Sequence, residues 1–236
     1  MIPLKDLNPS RTRPGVTILL IALNGLLFLY ELSLGPQIQP FIMQAAFVPA
    51  RYLGGMAPGG LPAGFVSALL SMFLHGGWAH ILGNMVYLFV FGNHVERSMG
   101  HARYLAFYLL CGLGANALEI ATAVDSSVPG LGASGAIAGV LGGYLVLYPT
   151  SRIGTLIPLG FLVFPARIYA WVFIGFWFLL QLFDGLGSLG ANAASDGGVA
   201  YWAHVGGFIT GLLLIRPFTI PDRVRQLQAY HAQFAH

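Results

Sequence analysis

Charge is what this sequence has least of. Lys, Arg, Asp and Glu together make up 8% of its 236 residues, against 56% hydrophobic residues. An ordinary soluble domain carries about a quarter charged residues. That deficit, with a mean hydropathy of +0.74, excludes a soluble globular domain and equally a disordered chain. Cysteine is nearly absent: Cys111 stands alone, so no intrachain disulfide can form. Acids are scarce too, eight in all, barely more than the seven histidines. What remains is the composition of a polytopic membrane protein. One helical span needs about 20 apolar residues, and six would occupy about half of such a chain.

The apolar runs separate cleanly into six expected spans, at 16–34, 79–91, 103–124, 133–148, 168–183 and 201–215. Segment 65–74 reads as interfacial or partly inserted. The stretch 35–64 is broken by Pro36, Pro40, Pro49, Pro58 and Pro62, which points to a loop with short interfacial helices. Segment 153–164 is apolar but short and interrupted by Pro158, and reads as a connector. A Gly-rich loop occupies 184–198. The polar N-terminus carries no secretory signal, and the first run lacks a small-residue cleavage site, so it reads as a retained span. The organisation expected is a cytoplasmic segment 1–15, one all-α six-span domain 16–215 and a cytoplasmic tail 216–236.

The cations test this topology. With six spans, ten of the eleven Lys and Arg residues fall on the side of the termini, and Arg51 alone falls on the other. The positive-inside rule then puts both termini in the cytoplasm. The basic balance reflects topology, and no nucleic-acid partner is implied. A bacterial plasma membrane is the expected setting, since no transit peptide is visible.

Under this topology spans two, four and six run inward, and each carries polar residues near its outer end. Span two has His80 and Asn84, with His75 just before it; span four has Ser134; span six has His204. At 1.5 Å per residue they share one depth. Polar groups inside a membrane default to a functional reading; the plain alternative is hydrogen-bonded glue between helices. Gly135, Gly139 and Gly143 recur every four residues on span four, as do Ala203, Gly207 and Gly211 on span six. Such stripes let backbones approach closely, which would bring Ser134 to His204. A serine hydroxyl needs a base to become a nucleophile, and a neutral histidine is the usual one. No acid is placed as a third member, so a Ser–His dyad is the economical proposal. His80 and Asn84, one turn apart, and the Ser134 amide at a helix start are candidate oxyanion donors.

At these residues the sequence resembles the rhomboid family of intramembrane serine proteases. The motifs are HGGWAHILGNM at 75–85, GASG at 132–135 and AHVGG at 203–207. The resemblance implies Ser134 as nucleophile, His204 as base, His80 and Asn84 on the oxyanion side, and His75, Gly132, Gly135 and Gly207 in support. It implies a membrane-lying loop at 35–64, a mobile cap at 184–198 and a structural turn around Glu96. Its substrates would be transmembrane proteins, cut near the outer face of the lipid bilayer. Familiar members carry a Tyr four residues after the nucleophile, stacked on the catalytic histidine; here that residue is Ala138. The first loop's Trp–Arg pair has no counterpart. No cofactor is implied. A metal is not expected, because no acid or Cys joins His75, His80 and His204. Two other classes remain: an inactive relative that binds membrane clients, which would have lost Ser134 or His204, and a transporter, for which an internal repeat is missing.

Overall fold

In the computed structural model, residues 1–7, 14–52, 63–188 and 199–232 are described. The chain forms a helical bundle flanked by a small sheet. After strand β1 (Ile2–Asp6) comes α1 (Gly15–Ser33). A 3₁₀ turn and the short helices α2 (Ile38–Ala45) and α3 (Pro49–Tyr52) follow. Then come α4 (Ala63–Leu70), α5 (Trp78–Met99), α6 (His101–Thr122) and α7 (Ser134–Leu147). A hairpin of β2 (Arg152–Leu159) and β3 (Leu162–Tyr169) leads into α8 (Ala170–Ser188), α9 (Tyr201–Phe218) and α10 (Pro221–Ala232).

Helix is the natural answer to these runs, because an apolar medium leaves every backbone polar group to be satisfied within the segment. Helices α1, α6 and α8 are each long and apolar enough to cross a membrane alone. The pairs α4–α5 and α9–α10 qualify as bent units, turning by 86° and 102°. Helix α7 has 14 residues. That is about 21 Å, short of the roughly 30 Å hydrocarbon layer.

The centre of the bundle is the meeting of α6, α7 and α9. A Cβ on Gly207 would lie 1.9 Å from the Gly135 carbonyl oxygen, and one on Gly211 would lie 2.0 Å from that of Gly139. The backbones of α7 and α9 therefore touch with no side chain between them. Gly206 approaches the Gly114 carbonyl of α6 in the same manner, at 2.8 Å from an added Cβ. The small-residue stripes are thus contact faces.

Three of the few acids tie down helix ends and loops. Glu96 accepts the Val16 and Thr17 amides, each at 2.8 Å, and the Thr17 hydroxyl at 2.6 Å. It caps α1 from α5, since Pro14 at the N-cap brings no side-chain acceptor. Glu119 of α6 accepts the Ala203 amide at 3.0 Å in the first turn of α9. Glu31 accepts the His75 amide at 3.2 Å. The Glu96 contacts lie in the last turns of α5, which runs on to Met99, past the expected end of span two near Phe91. His94, Glu96 and Ser98 look like a polar turn in sequence, but they are buried against neighbouring elements.

The sheet was not anticipated. The segment read as a connector forms β2 and β3, and the N-terminal segment adds β1 in the order β1-β2-β3, both pairings antiparallel. Alternating Ile153, Thr155 and Ile157 suits a strand. Gly160, at φ +61°, takes the left-handed turn position that a side chain disfavours. The expected cap at 184–198 lies outside the described residues from 189 onward, and α8 continues through 188. The expected membrane-lying loop at 35–64 contains α2 and α3; residues 53–62 lie outside the described residues.

Candidate active site

Ser134 is the first residue of α7, and His204 lies in the first turn of α9. The glycine contacts between the two helices bring these ends together. His204 Nε2 lies 2.8 Å from Ser134 Oγ, and His204 Nδ1 lies 2.6 Å from Gln181 Oε1 on α8. An amide oxygen only accepts, so Nδ1 carries the proton and donates to Gln181. Nε2 is left with a lone pair that accepts from the Ser134 hydroxyl. The Trp177 ring, one turn before Gln181, lies 5.9 Å from the imidazole at 37°.

The space beside Ser134 is set by Gly132. Its φ is +125°, and an added Cβ would stand 2.6 Å from His80 Nε2 and 3.5 Å from Ser134 Oγ. The Gly132 amide donates to the Ser71 carbonyl at 2.8 Å, which fixes the strand of chain entering α7. The Gly76 amide points at His80 Nδ1 at 3.4 Å, leaving Nε2–H as the donor directed toward Gly132 and Ser134. Asn84 Nδ2 donates to His75 Nε2 at 3.0 Å, and the His75 and His80 rings pack edge to face at 5.1 Å. Asn84 is therefore tied to the site through His75. At the start of α7, Ala133 supplies no side-chain cap, so the first-turn amides, that of Ser134 among them, have no intrahelical acceptor.

Ser134, His204, His80 and Gly132 are thus gathered at one point, with His75 and Asn84 forming its outer flank. Gly135 and Gly207 hold the two helices in contact. Gln181 and Trp177 were missed. Gln181 is an isolated polar residue in the apolar run 171–183. It lies near the end of α8 that shares the depth of Ser134. It is a neutral amide rather than an acid, and it stands on an outward-running span, so neither charge nor direction sets it beside Ser134 and His204 in the sequence. Among the described residues no group of three or more His, Cys, Asp or Glu is placed to hold a metal ion.

The fold and site define an integral membrane protein of helical type, with a Ser–His–Gln hydrogen-bonded chain at one end of its central helices. Comparison with known proteins gives its kinship. The rhomboid domain model matches residues 62–219, and the chain belongs to the rhomboid family. It is 35% identical over 150 residues to RHOMBOID-like protein 4 of Arabidopsis thaliana, covering 61% of this chain and 33% of that one. It is 35% identical over 122 residues to Rhomboid protease GluP of Bacillus subtilis, covering 52% and 23%. It is 31% identical over 170 residues to Rhomboid protease AarA of Providencia stuartii, covering 66% and 57%. The matches span less than two thirds of these relatives' own lengths.

Proposed function

We propose that the protein is an intramembrane serine endopeptidase that cuts a peptide bond in or near a membrane-spanning segment of a protein substrate. The observation that carries this is the unbroken hydrogen-bonded chain Ser134–His204–Gln181. Ser134 Oγ attacks the scissile carbonyl as its proton passes to His204 Nε2. The imidazolium then gives that proton to the leaving amine. Water, deprotonated by the same nitrogen, hydrolyses the acyl-enzyme. The Ser134 amide and His80 Nε2–H are the nearest donors to the developing oxyanion, with Asn84 behind them. Gln181 holds the productive tautomer of His204 and, with Trp177, stands in for the aromatic partner absent at Ala138. Both termini are assigned to the cytoplasm, supported by the one-sided placement of the cations. The alternative, an inactive relative that binds membrane clients, has no use for an intact nucleophile–base pair.

A fluorophosphonate probe on the detergent-solubilised protein tests the assignment. Mass spectrometry should place the adduct on Ser134. An adduct on Ser71 or Ser188 instead would overturn it.

Two variants follow from the geometry. Gln181→Ala should lower kcat by about 10- to 100-fold with little change in KM. This falls short of the roughly 10⁴-fold cost of a wrong tautomer beside a buried carboxylate, because a neutral amide stabilises the imidazolium less. Gln181→Glu should restore much of the rate and move the acidic limb of the pH–rate profile, which a purely structural role would not do. Gly132→Ala should lower kcat/KM by on the order of 100-fold, since its Cβ displaces His80 from the reacting centre. Comparing its melting midpoint with that of the parent separates this from unfolding.

A further inference from the structure

The sheet has no part in the site described above. It sits at the opposite end of α7, and its surface divides sharply. At the base, Lys5 pairs with Gly154, which pairs with Arg167, and Arg152 lies two residues before Gly154. Directly opposed residues share a face, as do residues two apart. Lys5, Arg152 and Arg167 therefore share one face at the base, and all three are exposed. From 153 to 166 there is no charged residue. At the far end Leu159, Phe161, Leu162 and Phe164 are exposed, Phe161 fully so.

The sheet's direction is given by its contacts with α5. Asp6, at the end of β1, lies 2.9 Å from His94, while the Tyr87 hydroxyl donates to the Met1 carbonyl at 3.4 Å. Tyr87 precedes His94 by seven residues, about 10 Å along a helix. The sheet therefore climbs back along α5, away from its Arg97 end. The pair Leu159↔Leu162 lies beyond Ile2↔Leu156 by about 10 Å more. The hairpin runs directly into α8, which exposes Trp171, Phe176, Leu179 and Phe183.

We propose that the β2–β3 hairpin is a lipid-binding element: its apolar tip enters the acyl layer, reaching back from the Arg97 end of α5 toward the Ser134 end, while Lys5, Arg152 and Arg167 at its base hold anionic phospholipid headgroups of the leaflet opposite the Ser134 end. An exposed apolar patch of this kind marks an interaction site, and basic groups beside inserted apolar residues are the pattern of interfacial anchors. The outer edge of β3, which pairs with no strand among the described residues, offers a rival occupant, the strand of a second copy. Edge pairing would leave both apolar faces of the tip in water, whereas lipid covers them. The proposal does not depend on the activity assigned to Ser134.

The test uses Phe161→Cys carrying an environment-sensitive nitrobenzoxadiazole label. Cys111 is fully buried and stays unlabelled. A label on the fully exposed Phe161 position does not disturb folding. In vesicles of phosphatidylcholine and phosphatidylglycerol, doxyl-labelled lipid should quench this label and aqueous iodide should not. A label at Gln226→Cys on exposed α10 should behave oppositely. The combined Lys5→Gln, Arg152→Gln and Arg167→Gln variant should lose insertion at roughly fivefold per charge removed, and only when phosphatidylglycerol is present. Iodide quenching at Phe161 overturns the insertion. Equal insertion with and without the three cations overturns the headgroup contact. Concentration-dependent crosslinking of Phe161→Cys to itself, with no lipid quenching, assigns the hairpin to a second copy instead.

Discussion

Replacing Ser134 with Ala should abolish cleavage of a transmembrane substrate while leaving the bundle intact. Ala is one atom smaller and suits the first turn of a helix packed on small residues. The hydroxyl contacts His204 Nε2, so its loss leaves a single imidazole nitrogen without its partner. Removing a catalytic serine of this type costs about 10⁶ in kcat. The rate should fall to background, and the melting midpoint should move by only about 2–4 °C, since a single half-buried hydrogen bond is worth about 1 kcal/mol. Purified Ser134→Ala that still cuts well above background would show that another residue is the nucleophile.

The largest loss of stability is expected from Gly207→Val. A Cβ there meets the Gly135 carbonyl oxygen at 1.9 Å and carbon at 2.8 Å. Both atoms are backbone, so no side chain can turn aside. Helices α7 and α9 must separate, and with them Ser134 and His204. Overpacking a core costs about 1–3 kcal/mol where side chains can adjust; here the cost should exceed 3 kcal/mol. Denaturation in mixed micelles would read it as a shift of the midpoint. Gly187→Val, where nothing lies within 4 Å, should have little effect by the same measurement. A Gly207→Val protein as stable as its parent would contradict the backbone contact.

How far the sequence leads depends on what each residue's signal was. Helices α1, α6, α7 and α9 start within two residues of the expected spans, because uninterrupted apolar runs closed by Pro149 or flanked by Arg leave little choice. The Ser134–His204 meeting was legible because Gly139 and Gly211 repeat at helical spacing. Glu96 was not read as a cap: its partners, the Val16 and Thr17 amides, lie some 80 residues away, and no local pattern announces them. The hairpin hid for a different reason. Its alternation is blurred by apolar residues on both faces, the pattern of a strand that water does not reach on either side. Gln181 hid in plain view, a neutral amide where a carboxylate was sought.

The place of Gln181 has a mechanical consequence. Helices α7 and α9 meet backbone to backbone, a contact with no side chain that can turn aside. Helix α8 is joined to that pair by rings, Phe178 stacked on Phe208 at 4.2 Å and Trp177 beside His204, which slide more readily than interlocked carbonyls. Were α8 to swing aside like a door, Gln181 would travel with it and His204 would lose its tether. The imidazole could then turn over, and Ser134 would face a base with the wrong nitrogen forward. Door and latch are thus the same helix: the proposed activity would be armed only when shut, and an open doorway would carry a disarmed serine.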